Sequence, residues 1–211
     1  MNDEGQAGKL GPTGIAVVEA AVTFGGVLYG EATAVDFNSA FDHVLALLDD
    51  AAVLFERSSF NTSAFLAITA IEETAKAHVG LFRKSGDVVK RKGRDPLRDH
   101  KMKHQMGVLP TVFMGERLTT VLGKDACIRL EKEAQTDGFT ATREASLYCA
   151  RLDDSFVTPR GAVTRTRARE LLLLAIETLD DSFVGYSSHT MAERGRIDTL
   201  FNRIAGISED R

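Results

Sequence analysis

Residues 94–105 set six arginine, lysine and histidine side chains in twelve positions: Arg94, Arg98, His100, Lys101, Lys103 and His104. Imidazole titrates near neutral pH, while arginine and lysine supply fixed positive charge. Cleaving RNA by attack of its own 2′-hydroxyl needs those two things, a proton shuttle and a cationic cradle for the phosphorane, and needs no metal ion. Two-metal nucleases need several converging carboxylates, which this segment does not supply. Residues 83–103 hold nine basic residues, Lys90, Arg91 and Lys92 among them, against three acidic ones; this net of +6 sits in a chain of net charge −4 and leaves −10 elsewhere. Such an island is either a solvated face or a patch that contacts phosphates and releases their counterions.

The helix that must carry the histidines is announced by Asp95-Pro96, an acidic N-cap followed by proline at the first helical position. Its apolar stripe reads Met102, Met106, Leu109 and Phe113, bent or ended at Pro110. With Met102 at the centre of that stripe, His100 and His104 fall about 160° and about 200° away at 100° per residue. Both histidines therefore turn from the core, toward solvent, a substrate or a second subunit. A preceding helix carries Ala64, Ile68, Ile71, Ala75, Val79 and Phe82 on one stripe and an unusual Glu72-Glu73-x-x-Lys76 in an otherwise small and apolar run. Glu72 is predicted to be partly buried with Lys76 as its i, i+4 partner, and Glu73 reaches Lys76 at i, i+3. These groups form intrahelical ion pairs, or they cross the bundle to hold the histidine helix and tune it.

Further elements repeat the pattern. Phe37, Phe41, Val44, Leu45, Leu48, Ala52 and Phe55 predict a helix capped near Asn38 or Ser39 and paired with the Glu72 helix as an antiparallel hairpin. More helix is predicted over 111–134, with Gly123 an interruption. A turn falls at Asp137-Gly138, followed by a helical stripe at Ala141, Ala145, Tyr148, Leu152 and Phe156. Beyond the break at Pro159, a long helix carries Ala168, Leu172, Ile176, Leu179, Phe183 and Tyr186, and Thr190-Met-Ala-Glu193 reads as a capping box. Arg165, Arg167 and Arg169 read as a solvated first turn. Residues 15–35 allow either a β-hairpin around Gly25-Gly26 or a short helix over 16–22. The fold class is therefore all-α: a helical bundle over residues 37–207 behind an N-terminal extension, residues 1–36.

Cys127 and Cys149 lack disulfide or zinc-site spacing and read as reduced, packed thiols. Neither a long apolar run nor a signal-peptide pattern is present, so a soluble, cytoplasmic protein with no membrane role and no cofactor is expected.

The run from Asn61 to Ala77, then Asp99-His-Lys-Met-Lys103, then Leu147-Tyr-Cys149 and Pro159 resemble, in order and separation, the abortive-infection proteins of the AbiV type, a family of the HEPN superfamily of helical bundles. The resemblance covers about residues 37–185. It implies an antiphage protein that halts growth of the infected cell, with metal-independent ribonuclease activity on an RNA such as tRNA or mRNA, a homodimer with two motifs facing one cleft, and a phage-encoded activator. The superfamily's Arg-x4–6-His signature occurs twice, as Arg94 to His100 and as Arg98 to His104. The resemblance favours Arg94 and His100 with Lys103 as catalytic, and carries over Glu73, Lys76 and Tyr148 as matched positions. Arg98, Lys101, His104, Lys90, Arg91 and Lys92 fall to nucleic-acid contact. A non-catalytic module that binds RNA, nucleotide or protein, and a plain helical interaction protein, fit the same residues.

Overall fold

The computed structural model describes residues 13–24, 32–83, 94–136, 138–153 and 155–207. Helix α2 (Ala34–Glu56) starts on a capping box: the Thr33 hydroxyl accepts from the Asp36 amide, and Asp36 accepts from the Thr33 amide at 2.9 Å. The cap thus lies upstream of the expected Asn38 or Ser39. All seven residues of the predicted α2 stripe are buried. Ser58, in the left-handed region at φ 60°, turns the chain into α3 (Phe60–Gly80). Alanines 64, 67, 70 and 75 on α3 let neighbouring backbones approach closely.

Helix α9 (Arg165–Phe183) fills the groove between α2 and α3. Leu171, Leu172, Leu173 and Leu174 are each wholly buried, the signature of a helix enclosed on all sides. Burying each such side chain stabilises the fold by about 1.5–3 kcal/mol relative to exposure. Helix α11 (Arg194–Ala205) closes the bundle with Ile197, Leu200, Phe201 and Ile204. Arg169 is buried and donates to the Ile204 and Ala205 carbonyls at the end of α11, and Arg167 donates to Glu133 at 2.6 Å. The expected solvated turn is thus a set of interhelical ties. The capping box here runs from Ser187 to Thr190 and opens α10 (Ser188–Ala192), three residues before the expected one.

The middle of the chain is broken into short helices. A 3-10 turn (Pro110–Phe113) leads to α5 (Glu116–Leu122) and α6 (Lys124–Gln135), separated as expected at Gly123, whose φ of 83° suits glycine. Arg117 of α5 lies among Glu177, Asp180 and Asp198 and stacks 4.3 Å from the Phe201 ring, fastening α5 to α9 and α11. Helix α7 (Gly138–Ala145) stops earlier than its stripe predicted. An antiparallel hairpin follows, β1 (Ala150–Leu152) and β2 (Ser155–Val157), with Arg151 opposite Phe156. Its turn contains Asp153 at φ 51°, a conformation aspartate tolerates. Tyr148 and Phe156, expected on a buried stripe, are 65% and 69% exposed. Helix α8 (Pro159–Ala162) joins the hairpin to α9.

At the N-terminus, α1 (Thr13–Phe24) corrects the hairpin expectation in favour of a helix; Gly25-Gly26 lie outside the described residues. Val17, Val18, Ala21 and Val22 make a second small core with Ala75, Val79, Leu97 and Met106. Cys127 is buried as expected, whereas Cys149 is exposed. Among the described residues, no helix is long and apolar enough to cross a membrane.

Candidate functional site

Asp95 does not cap the histidine helix. Its Oδ1 accepts from the Leu97 amide and caps a 3-10 turn (Pro96–Arg98), while Asp99 Oδ1 accepts from the Met102 amide at 3.1 Å and caps α4 (His100–Gly107). Asp95 instead receives Arg83, a wholly buried guanidinium that also donates to the Ala21 carbonyl at 2.9 Å. Burial alone would raise the Asp95 carboxyl, but the Arg83 hydrogen bonds hold it below its ordinary value. This clasp ties α1 to both ends of the basic segment.

The starting residue of α4 decides which face points inward, and the result reverses the expectation. Met102 is partly exposed, while Lys103, His104, Met106 and Gly107 are buried. The inward stripe is His100, Lys103, His104 and Gly107, spaced three and four apart. A polar stripe can face the core because one carboxylate satisfies it. Glu72 accepts from His100 Nδ1 at 2.8 and 2.9 Å, from Lys103 Nζ at 2.5 Å and from His104 Nε2 at 3.1 Å. Arg143 Nε, from α7, lies 3.4 Å from the same carboxylate. Burial pushes the Glu72 carboxyl up; the His104 and Lys103 hydrogen bonds, the Lys103 charge and the His100 hydrogen bond outweigh it and bring it down to about 2.

Within the cluster the two histidines differ. His104 is enclosed, its ring edge-on to Phe139 at 5.4 Å, and its Nδ1 has no hydrogen-bond partner. The neutral tautomer with the proton on Nε2 fits that setting, because an imidazolium would bury an unpaired N–H. His104 therefore cannot contact a nucleic acid as expected. His100 has a 43% exposed side chain. Its Nδ1–H is spent on Glu72, leaving Nε2 without a hydrogen bond among the described residues. The arrangement is that of an imidazole oriented by a carboxylate, with its second nitrogen free to accept or give a proton. With Lys103 and Arg143 against one carboxylate, the site is net cationic. Those cations already neutralise the one acidic donor, so the set suits a phosphate better than a metal ion. Among the described residues, no group of three His, Cys, Asp or Glu could hold a metal.

Other expected residues are placed differently. Lys76 pairs with Glu73 and not with Glu72, so the acid the histidines use is one residue before the matched one. Arg94 is exposed and forms no hydrogen bond or ion pair with the described residues; Arg98 and Lys101 are exposed. Lys90, Arg91 and Lys92 lie outside the described residues. The arginine beside His100 is Arg143: Nε and His100 Nδ1 share one Glu72 oxygen, and its guanidinium lies over Phe65 at 5.0 Å. No spacing in the sequence signalled Arg143, since it comes from a helix more than thirty residues further on.

Close approach holds α4 in this position. A Cβ on Gly107 would sit 2.8 Å from the Ile71 carbonyl oxygen, and one on Gly14 of α1 would sit 2.6 Å from that of Gln105. Gly107→Ala is expected to destabilise by about 1–3 kcal/mol despite alanine's better helix propensity, since backbone must give way. A fall in the urea midpoint at unchanged slope would register it. Acid is the second probe. Because the folded Glu72 value of about 2 lies below the ordinary 4.5, its contribution is complete above pH ~4.5 and lost as pH falls toward ~2. Thermal melts between these limits are expected to show the loss, and Glu72→Gln is expected to flatten it.

The largely helical bundle, with its one small hairpin, is consistent with a HEPN fold. The model of the HEPN family described as AbiV matches residues 37–180. The chain belongs to the AbiV family, which makes it an abortive-infection HEPN protein. No curated protein matches it, and no solved structure does. Helix α1 falls outside the matched residues.

Proposed function

We propose that the protein is a metal-independent endoribonuclease whose chemistry is carried by His100. The observation that supports this reading is the Glu72–His100 pair, which fixes the half-exposed imidazole and leaves Nε2 without a hydrogen bond to the described residues within a net-cationic cluster. His100 would take the 2′-hydroxyl proton as the oxygen attacks phosphorus and return it to the 5′-oxygen as the P–O5′ bond breaks. Glu72 stays a carboxylate throughout and stabilises the imidazolium. The outer nitrogens of Arg143 form no hydrogen bond with the described residues and would neutralise the phosphorane. Arg98 and Lys101, both exposed, would contact flanking phosphates. In a cytoplasmic homodimer, two such sites would face one RNA, with a phage component as trigger.

Incubating labelled total RNA and tRNA with the purified protein in EDTA tests the reading. Fragments formed under EDTA are expected; intact RNA under every condition, trigger included, sinks it. A second reading, binding without cleavage, is favoured by Arg94 being exposed and forming no hydrogen bond or ion pair with the described residues. It requires RNA affinity that survives loss of His100 and no fragments at all.

A further inference from the structure

Helix α7 has two faces, and only one of them serves the Glu72 cluster. On the other, Ala141 and Ala145 pack with Ala150, Val157 and Ala162 into an open slot of about 340 Å³, with Tyr148 and Glu144 at its edge. The floor is built mostly of alanines, whose small side chains leave room for a planar ring to lie against it. Tyr148 is 65% exposed, an aromatic left available for stacking. Glu144 is exposed and its carboxylate has no partner among the described residues. Arg160, on the short helix that closes the slot, is likewise exposed and unpaired among the described residues, whereas Arg151, paired with Phe156, lies on the other face of the hairpin. The slot is thus an apolar surface with one aromatic edge, one acceptor pair and flanking positive charge.

We propose that this slot holds one unpaired guanine base of an RNA strand, and so sets base preference for the cleavage proposed above, on which this inference rests. Single-stranded RNA is read by stacking bases on aromatic rings and bonding their Watson–Crick edges. Guanine alone presents two adjacent donors, N1–H and N2–H, to the two oxygens of Glu144. Adenine offers one amino group beside an acceptor, and uracil one imino group between two acceptors that a carboxylate repels. Arg160 would take an adjoining phosphate. The slot and Arg143 lie on opposite sides of one helix, about 10–12 Å across, a distance that a short extended strand spans.

The test is fluorescence anisotropy of the full chain with uncleavable 2′-O-methyl oligouridylates carrying one central guanine, inosine or adenine. Guanine is expected to bind roughly tenfold tighter than adenine, with inosine between them. Glu144→Gln is expected to erase that preference, and Tyr148→Ala to weaken guanine binding by roughly 5- to 150-fold, the range of one stacked base. Both residues are exposed, so neither change threatens the fold. Equal affinity for guanine and adenine, a preference untouched by Glu144→Gln, or no oligonucleotide binding at all overturns the slot; the last result would mark it as a protein-docking face. Guanine preference with no cleavage of ordinary RNA would leave the slot standing and overturn the ribonuclease. Cleavage without base preference would do the reverse.

Discussion

Replacing Glu72 by alanine is expected to lower the unfolding free energy by about 3–5 kcal/mol, because the change leaves the Lys103 ammonium buried without its counter-charge. The Lys103 side chain is only 6% exposed, and Glu72 is its ion-pair partner at 2.5 Å. The loss extends beyond that pair, since the same carboxylate receives His100, His104 and Arg143. Against a typical total of 5–15 kcal/mol, such a loss brings the variant near unfolding at 37 °C. Urea denaturation followed by far-ultraviolet circular dichroism gives the number, and a loss below about 1 kcal/mol would show that the cluster does not hold α4.

The same cluster explains what a paired substitution should do. Glu72→Gln with Lys103→Met removes both buried charges while keeping shape, and is expected to recover much of the stability lost in Glu72→Ala. It does not restore an oriented imidazole, because a glutamine amide cannot stabilise imidazolium as a carboxylate does. Stability and cleavage should therefore separate in this variant, with folding regained and cleavage still depressed.

Sequence periodicity exposed the scaffold where apolar residues alone decide orientation. The predicted stripe of α2 is buried throughout and that of α9 through Phe183, because Phe41, Leu48, Leu172 and Ile176 have no alternative to burial, whereas Tyr186 lies beyond the end of α9 and is half exposed. It failed where charged groups are buried by mutual satisfaction. The α4 stripe was centred on Met102, since nothing local shows that Glu72 will pay for turning His104 and Lys103 inward. Hydrophobic ranking alone would never choose that face. The clasp between Arg83 and Asp95 was hidden for the same reason: it joins residues across the chain, and its proline reads as the start of the longer helix. Glu72 itself was visible as a carboxylate in an apolar run. Its reach across the bundle to the histidine helix was one of two readings the sequence allowed; Arg143 was in neither, because it comes from α7 through tertiary packing. Short elements failed differently. Helix α7 and the following hairpin share one apolar period in the sequence, although α7 ends at Ala145 and Asp153 turns β1 into β2.

His100→Ala is expected to reduce RNA cleavage by about 10²–10⁴-fold, the usual contribution of a positioned proton shuttle, while changing stability by less than Glu72→Ala does. Its side chain is 43% exposed, and without it Glu72 still pairs with Lys103, His104 and Arg143. RNA affinity should stay nearly constant, because the cationic residues remain. Lys101→Glu is its counterpart: Lys101 is exposed on α4, so charge reversal there should weaken affinity and flatten its dependence on salt while the folded state persists. Lys103→Glu would not serve, since it sets two carboxylates against each other in the interior and reports on folding alone. His104→Ala separates the histidines again. Its ring is enclosed, so its loss should be read in the urea midpoint and in cleavage together. Cleavage undiminished in His100→Ala at matched fold would move the chemistry off this helix, whereas a loss shared equally by His100→Ala and Lys101→Glu through affinity would make the basic face a binding surface and not a catalytic one.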